Sequence, residues 1–388
     1  MVRSDCIFVH VPKLLEWSPY FGWYSRITFL PMGMLSMIEE VDRAGFTVRL
    51  VHLGVEKALD PEWSLVDYVK ESGATMVALS LNWHPQTFDT LDVARQLKAS
   101  LPHIQVVVGG LTASVFAHHI LRDFADVDAV IEGEAEVPLR LLLESKGDWR
   151  GVPNLWWRDE GKIRRNTQCF LSDEDEVTNW SFASWCAGSH ESMAATTGRR
   201  HIAWRSPDAV VATVKMARSH GVKRFYACFD PHPTKPRELI AILEALGRLD
   251  EKVKLDFETY GLPTPKFVES FRQNLDSSSR LLLSPETVDE TLRRRHRAFA
   301  FSNAEFHQTL EHLEHEGLRS YLYFVVGLPG EDRAGVLRTR EYQTQLQQRF
   351  SCVDNVFSWP LEMEPNAPWF NQPQRFGLSL KRRNLADF

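Results

Sequence analysis

Cysteine is scarce in this chain. Its 388 residues hold five, at positions 6, 169, 186, 228 and 352. The odd count and wide scatter argue against a disulfide framework and fit a reducing, cytoplasmic setting. Positive charge is not in excess either: 45 Lys and Arg against 51 Asp and Glu leave a net charge of −6. That balance gives no basic face for nucleic acid. No apolar run reaches the roughly 18 residues of a membrane helix. The opening MVRSDCIFVHVPK is too short and too interrupted for a signal peptide and reads as a first strand. Zinc-site spacings, a Ser–His–Asp arrangement and a G-x-G-x-x-G fingerprint are all missing.

What is present is a long alternation of strand and helix patterns, enough for two or three domains. Strands are expected at Cys6–Val11, Thr47–Leu53, Thr75–Leu81, Ile104–Val108 and Ala129–Ile131. Helices are expected at Met32–Ala44, Trp63–Glu71, Phe88–Ala99, His118–Phe124 and Val137–Glu144. Short apolar strands separated by helices imply a parallel sheet covered on both faces, here a five-stranded doubly wound domain over residues 1–150. NLWWR and KIRRN around DEG predict a hairpin within a connecting segment, 151–178. Alternation resumes over 179–388, with strands at Arg224–Phe229, Lys254–Glu258, Arg280–Leu283, Tyr321–Val326 and Asn355–Trp359. This second α/β unit is more like part of a barrel than an open sheet.

Ligands of parallel α/β folds bind at the carboxyl ends of the strands. In the first unit those loops read SLNWHPQTF from Ser80, with Trp83 and His84; VVVGGLTAS, with Gly109, Gly110, Thr112 and Ser114; and IEGEAE, with Gly133 before Glu134. Adjacent glycines let backbone approach a ligand, and several such loops on one rim favour a planar or nucleotide-like cofactor. For any one loop, a tight turn alone explains the glycines. In the second unit, strand ends expose Asp230 and His232, Ser284 and Glu286, and Gly327. Arg293, Arg294, Arg295 and Arg297 read by default as a solvated helix face.

The order of these phrases resembles the cobalamin-binding radical S-adenosylmethionine (SAM) family. The resemblance runs from about Pro31 to Pro368 through PMGMLSMIEEVDRAGFTVRLVHL, VVVGGLTAS, VDAVIEGEAEVPLRLLL, the hairpin, RSPDAVVATVKMARSHGVKRFYACFD, LSPETVDETLRRRHRAFAFSN and YFVVGLPGED. It implies a doubly wound, Rossmann-like cobalamin domain followed by a partial (β/α)6 barrel. By the same resemblance cobalamin would contact Pro31, Met32, Gly33, Ser80, Trp83, His84, Gly109, Gly110, Thr112, Gly133 and Glu134. SAM would contact Asp230, Glu258, Ser284, Glu286 and Gly327, with Asp230 and Glu286 catalytic. The D-x-H-x-x-G motif is missing, which implies cobalamin bound without a histidine from that motif. The family's cluster loop, C-x3-C-x2-C, falls on Asn179, Ala183 and Cys186, so two of three thiolate ligands of a [4Fe–4S] cluster are replaced. The expectation is an enzyme of specialised metabolism that moves a methyl or other alkyl group of SAM to a small molecule by polar chemistry, without the cluster. Two alternatives stand: a non-catalytic cobalamin-binding partner of another protein, and a conventional cobalamin-dependent radical SAM methyltransferase.

Overall fold

The computed structural model describes residues 3–12, 32–171, 205–219, 221–230, 236–259, 261–297, 299–361, 363, 365 and 367–387. Pro31, His232 and the loop Thr178 to Arg200 with Cys186 lie outside the described residues.

The first sheet contains β1 (Cys6–His10), β2 (Val48–His52), β3 (Met76–Ser80), β4 (Gln105–Gly109), β5 (Ala129–Ile131), β6 (Leu155–Asp159) and β7 (Lys162–Arg165). Their order is β2-β1-β3-β4-β5-β6-β7. The first five pair in parallel. The strands alternate between two cores, as the period of two requires. Ile7, Val9, Val77, Leu79, Val106 and Val108 enter one cluster, while Cys6, Phe8, Met76, Val107 and Ile131 enter the other. This is the doubly wound arrangement read from the sequence.

Two expectations need correction. The sheet has seven strands, because the hairpin does not stand apart: β6 pairs antiparallel with β5 and carries β7 with it. The turn chemistry of the hairpin is local, whereas its pairing with β5 is a long-range contact that strand patterns do not encode. Leu53, taken as the end of the second strand, instead begins a helix, Leu53–Leu59, whose N-cap is His52.

The second sheet contains β8 (Phe225–Asp230), β9 (Leu255–Thr259), β10 (Arg280–Glu286), β11 (Arg319–Val326) and β12 (Val353–Pro360). All five pair in parallel, in the order β12-β11-β10-β9-β8. One face packs under helices through Leu255, Phe257, Leu281, Leu283, Leu322 and Phe324. The alternate residues, Tyr226, Glu258, Leu282, Tyr321, Tyr323 and Phe357, line the other face. A long one-directional sheet with connecting helices outside is the curved wall of a partial barrel.

The end of the chain ties the two units. Leu385, 1% exposed, belongs to the first unit's core, and Phe370 packs against that cluster. Trp369 and Phe376 pack on His296 of the second unit, with ring centroids 5.4 and 6.1 Å away. We expect Leu385→Ala to cost about 2–5 kcal/mol, the usual penalty for emptying a buried leucine site, as read by chemical denaturation of the full chain.

Candidate functional site

At the carboxyl rim of the first sheet, the loops after β3, β4 and β5 are laced together. Leu81 N–H donates to Gly109 O, and Ala113 N–H donates to Leu81 O. Thr112 Oγ1 donates to Asn82 O at 3.0 Å. Ser114 Oγ donates to Gly110 O at 2.8 Å and accepts from Gly133 N–H at 2.9 Å. Gln86 Nε2 reaches across to Val11 O at 2.8 Å. The hydroxyls of Thr112 and Ser114 are therefore spent on shaping the rim.

The two adjacent glycines do different jobs. Gly110 has φ +115°, and a Cβ there would meet Leu81 O at 2.6 Å. Its small size serves loop packing. At Gly109 a Cβ would meet nothing within 4 Å, so this glycine presents bare backbone to open space. Glu134 is buried at the end of the next loop. Its carbonyl accepts from Asn154 Nδ2 at 2.9 Å. Trp83 and His84 sit on a short 3-10 turn, His84–Gln86. Gly33 lies in the helix Met32–Arg43.

The strand patterns hid one polar group on this rim. His10, fully buried at the end of β1, has its Nδ1 2.9 Å from Ser80 Oγ and its ring 4.8 Å from that of His52. Burial, followed by the nearby His52, lowers its pKa to about 4. The apolar run Cys6–Val11 reads His10 only as a member of the first strand. The open backbone at Gly109 and the bound-up loops around it fit a large flat ligand such as cobalamin resting on the rim.

The second rim is organised by a buried cation. Arg293 is fully buried and donates to four oxygens: Pro285 O, Thr287 O, Phe301 O and Asn303 Oδ1. It also lies over the Phe301 ring, 4.8 Å from the centroid. The reading of the arginine run as a solvated face therefore fails at Arg293 and at Arg297, which is 9% exposed. Together they fix the end of β10. Arg297 donates to Ser284 O, and its Nε is 3.6 Å from Glu286 Oε1. Glu286 has φ +64°. A glutamate at a strand end in the left-handed region is strained, and the two arginines hold it there.

On the neighbouring strand, Gly327 follows β11 at φ +97° and donates its N–H to Glu331 Oε2 at 2.8 Å. Glu331 Oε1 is buried and has no hydrogen-bond partner among the described residues. Asp230 ends β8 in register with Thr259. Ser284 and Glu286 thus meet at one strand end, with the Gly327 loop on the neighbouring strand. Glu258 lies deeper. The strained carboxylate and the unmatched acceptor fit a polar ligand with donors, as SAM has.

The thiols are unequal. Cys6 lies in a core, and burial pushes its thiol up to about 12. Cys352 is also buried, raised to about 11, and its thiol donates to Leu310 O. Neither is available as a thiolate. Cys169 is exposed after the hairpin, and Cys228 lies in β8.

Comparison with known proteins agrees with the two-unit fold. Residues 28–143 match the B12 binding domain and residues 184–342 the radical SAM superfamily. The chain joins a cobalamin-binding domain to a radical SAM domain. It belongs to the cobalamin-binding radical SAM proteins. Hopanoid C-3 methylase of Methylococcus capsulatus is 32% identical over 133 residues, which are 32% of this chain and 24% of that protein. The match therefore spans about a quarter of that relative's length. Among solved structures, the radical SAM methyltransferase TsrM from Kitasatospora setae, with cobalamin and a [4Fe-4S] cluster bound, superposes with TM-score 0.68 at 14% identity. The superposition covers 95% of this chain and 74% of that one. The cobalamin-dependent SAM radical enzyme OxsB, with aqua-cobalamin and SAM bound, gives 0.63 at 14% identity over 88% and 52%. These likenesses establish the fold. Among the described residues no helix is long and apolar enough to cross a membrane.

Two outcomes follow from the rim geometry. Gly109→Ala should leave thermal stability nearly unchanged and weaken cobalamin retention, whereas Gly110→Ala should lower both, since its Cβ has no room and its φ is unfavourable. Parallel melting curves and cobalt counts separate them. The lowered pKa of His10 means the unfolded chain binds the extra proton first. Its contribution to stability is complete above pH 6.5 and is lost as pH falls from 6.5 towards about 4. His10→Asn should flatten that part of the stability–pH curve.

Proposed function

We propose that this protein is a cobalamin- and SAM-using transferase that moves a methyl group, or another SAM carbon, to a small molecule by polar chemistry. The observation that carries this reading is the thiol inventory. Only Cys186 remains of the three cysteines in the family's cluster loop, and Cys6 and Cys352 are locked in cores. Cobalamin, when bound and reduced, supplies a strong nucleophile at cobalt, and SAM is a sulfonium electrophile. The chain's own residues have the task of alignment. The Gly109 backbone, with Ser80, Gly133 and Glu134 around it, would support the corrin. The β10 end, with Ser284 and Glu286 held by Arg293 and Arg297, would fix SAM, together with Asp230 and the Gly327 loop. Positioning of two reactants is a large part of such a rate.

A second reading, a conventional radical SAM methyltransferase, is favoured by two observations. The radical SAM match begins at residue 184, within the cluster loop. Besides Cys6 and Cys352 the sequence holds three cysteines, Cys169, Cys186 and Cys228, as many as the family's C-x3-C-x2-C loop supplies. There a cluster would supply the electron that cleaves SAM.

Glu286→Ala should weaken SAM binding by about tenfold or more, the loss of one charge-assisted contact, while cobalamin stays bound. Iron and cobalt counted on the same anaerobically reconstituted sample decide between the readings. Cobalt without iron, with S-adenosylhomocysteine or methylthioadenosine formed and no 5′-deoxyadenosine above background, supports polar transfer. Four irons per chain that depend on Cys186, with enzyme-dependent 5′-deoxyadenosine, would replace it with the radical reading.

A further inference from the structure

A half-buried histidine of the second unit has no part in the chemistry described so far. His296 ends the helix Glu290–His296, one residue before Arg297. Its Nε2 lies 2.7 Å from Pro329 O, in the turn that follows β11. A carbonyl oxygen can only accept, so Nε2 carries the proton and donates. Nδ1 is then a bare lone pair, buried and without a hydrogen-bond partner among the described residues. Burial, ahead of the opposing Pro329 contact, lowers the pKa of the ring and favours its neutral form. The same turn meets the helix again at Gly330, where a Cβ would stand 3.5 Å from Leu292 Cδ2 and 3.6 Å from Arg295 Nη1.

The turn is closed on itself. Gly327 N–H donates to Glu331 Oε2 at 2.8 Å, and Glu331 N–H donates to Leu328 O at 2.8 Å. Its position therefore depends on what it rests against. The hydrogen bond from His296 ties it to the segment whose Arg293 and Arg297 hold the end of β10. The imidazole is packed in turn by the end of the chain. Trp369 meets it edge-on at 5.4 Å and 79°, Phe376 lies 6.1 Å away at 33°, and those two rings are 6.2 Å apart. Trp369 and Phe370 are neighbours on the short helix Pro368–Asn371, yet they serve different units. Phe370 packs against the first unit's core, where Leu385 is also buried.

We propose that His296 is a positioning residue for the turn at 327–331, and that Trp369 and Phe376 hold it there on a strap anchored in the first unit. A histidine that donates from one nitrogen and is packed by two rings has its tautomer and its orientation fixed together. The loop that completes the second rim is thereby set from the unit that carries the first, so the two rims keep one spacing. A transfer between ligands on the two rims needs that spacing, because the reacting atoms must be close and in line. Only the naming of SAM as the ligand of the second rim rests on the transferase reading.

The test uses the full chain saturated with cobalamin. His296→Phe keeps a ring against Trp369 and removes the donor, whereas His296→Gln keeps a donor and removes the ring. Hydrogen exchange of the amides at 327–331 is read without SAM, and SAM affinity by calorimetry, beside melting temperature and cobalt content. His296→Phe should speed exchange at Gly327 and Glu331 and weaken SAM binding about fivefold, the weight of one neutral hydrogen bond. Cobalt content and melting temperature should stay close to the wild type, and His296→Gln should recover most of the loss. Phe370→Ala, a change at the first unit's end of the strap, should speed exchange of the same amides. If His296→Phe leaves exchange and SAM affinity unchanged, or if His296→Gln loses as much as His296→Phe, the histidine only packs and the proposal is wrong. Exchange that rises in the first unit alone in Phe370→Ala overturns the strap. A wild type that binds no SAM would sink the transferase reading, while the exchange measurements still decide the role of His296.

Discussion

Parallel strand pairing is the constraint from which both sites follow. A strand buried on both faces can tolerate few polar side chains along its length. Polar groups are therefore displaced to the carboxyl ends, where the backbone turns out of the sheet. In the first sheet this gathers His10, Ser80, Gly109 and Gly133 on one rim. In the second it gathers Asp230, Ser284, Glu286 and Gly327. The second sheet departs from the rule on its inner face. Curvature leaves room there, and Tyr226, Glu258 and Tyr323 take up positions that a flat doubly wound sheet would fill with aliphatic side chains.

The two rims are stiffened by different means. The first relies on loop-to-loop hydrogen bonds that use most of the small hydroxyls, so its ligand surface is largely backbone. The second relies on guanidinium groups turned inward. Arg293, wholly buried, pairs with no carboxylate among the described residues and is satisfied by neutral oxygens, three of them main-chain carbonyls. Such a cation is costly to bury, and its fork geometry explains what offsets the cost: it pins several turns of chain at once around a strained glutamate. Residues 285–303 thereby become one unit with the end of β10.

Much of the fold was legible because periodicity is local. Ala129–Ile131 appears as expected, and the other strands differ by one to three residues at their ends. What was not legible required contacts between distant residues. The addition of β6 and β7 to the first sheet depends on β5, about 25 residues earlier. The arginine run looked solvated because LRRRHR has no apolar stripe of its own, and the shielding of Arg293 comes from the segment around Phe301. Glu258 was recognisable as a strand-end acid, but its distance below the rim depends on register with β10. Gly110 was recognisable as a required glycine, and the atom that requires it, Leu81 O, belongs to another loop.

The placement of Leu385 bears on how the chain acquires its structure during synthesis. The first unit's sheet lies within residues 6–165, yet one buried member of its core, Leu385, follows 220 residues after the last of its strands. A nascent chain can form the strands early, but it carries an unfilled apolar site until residue 385 has left the ribosome. That site stays exposed for the entire time the barrel is being made. Chaperone capture in that interval, and rapid disposal of chains that stop short of Leu385, are the cellular costs of closing a core with a residue that lies beyond the whole second unit.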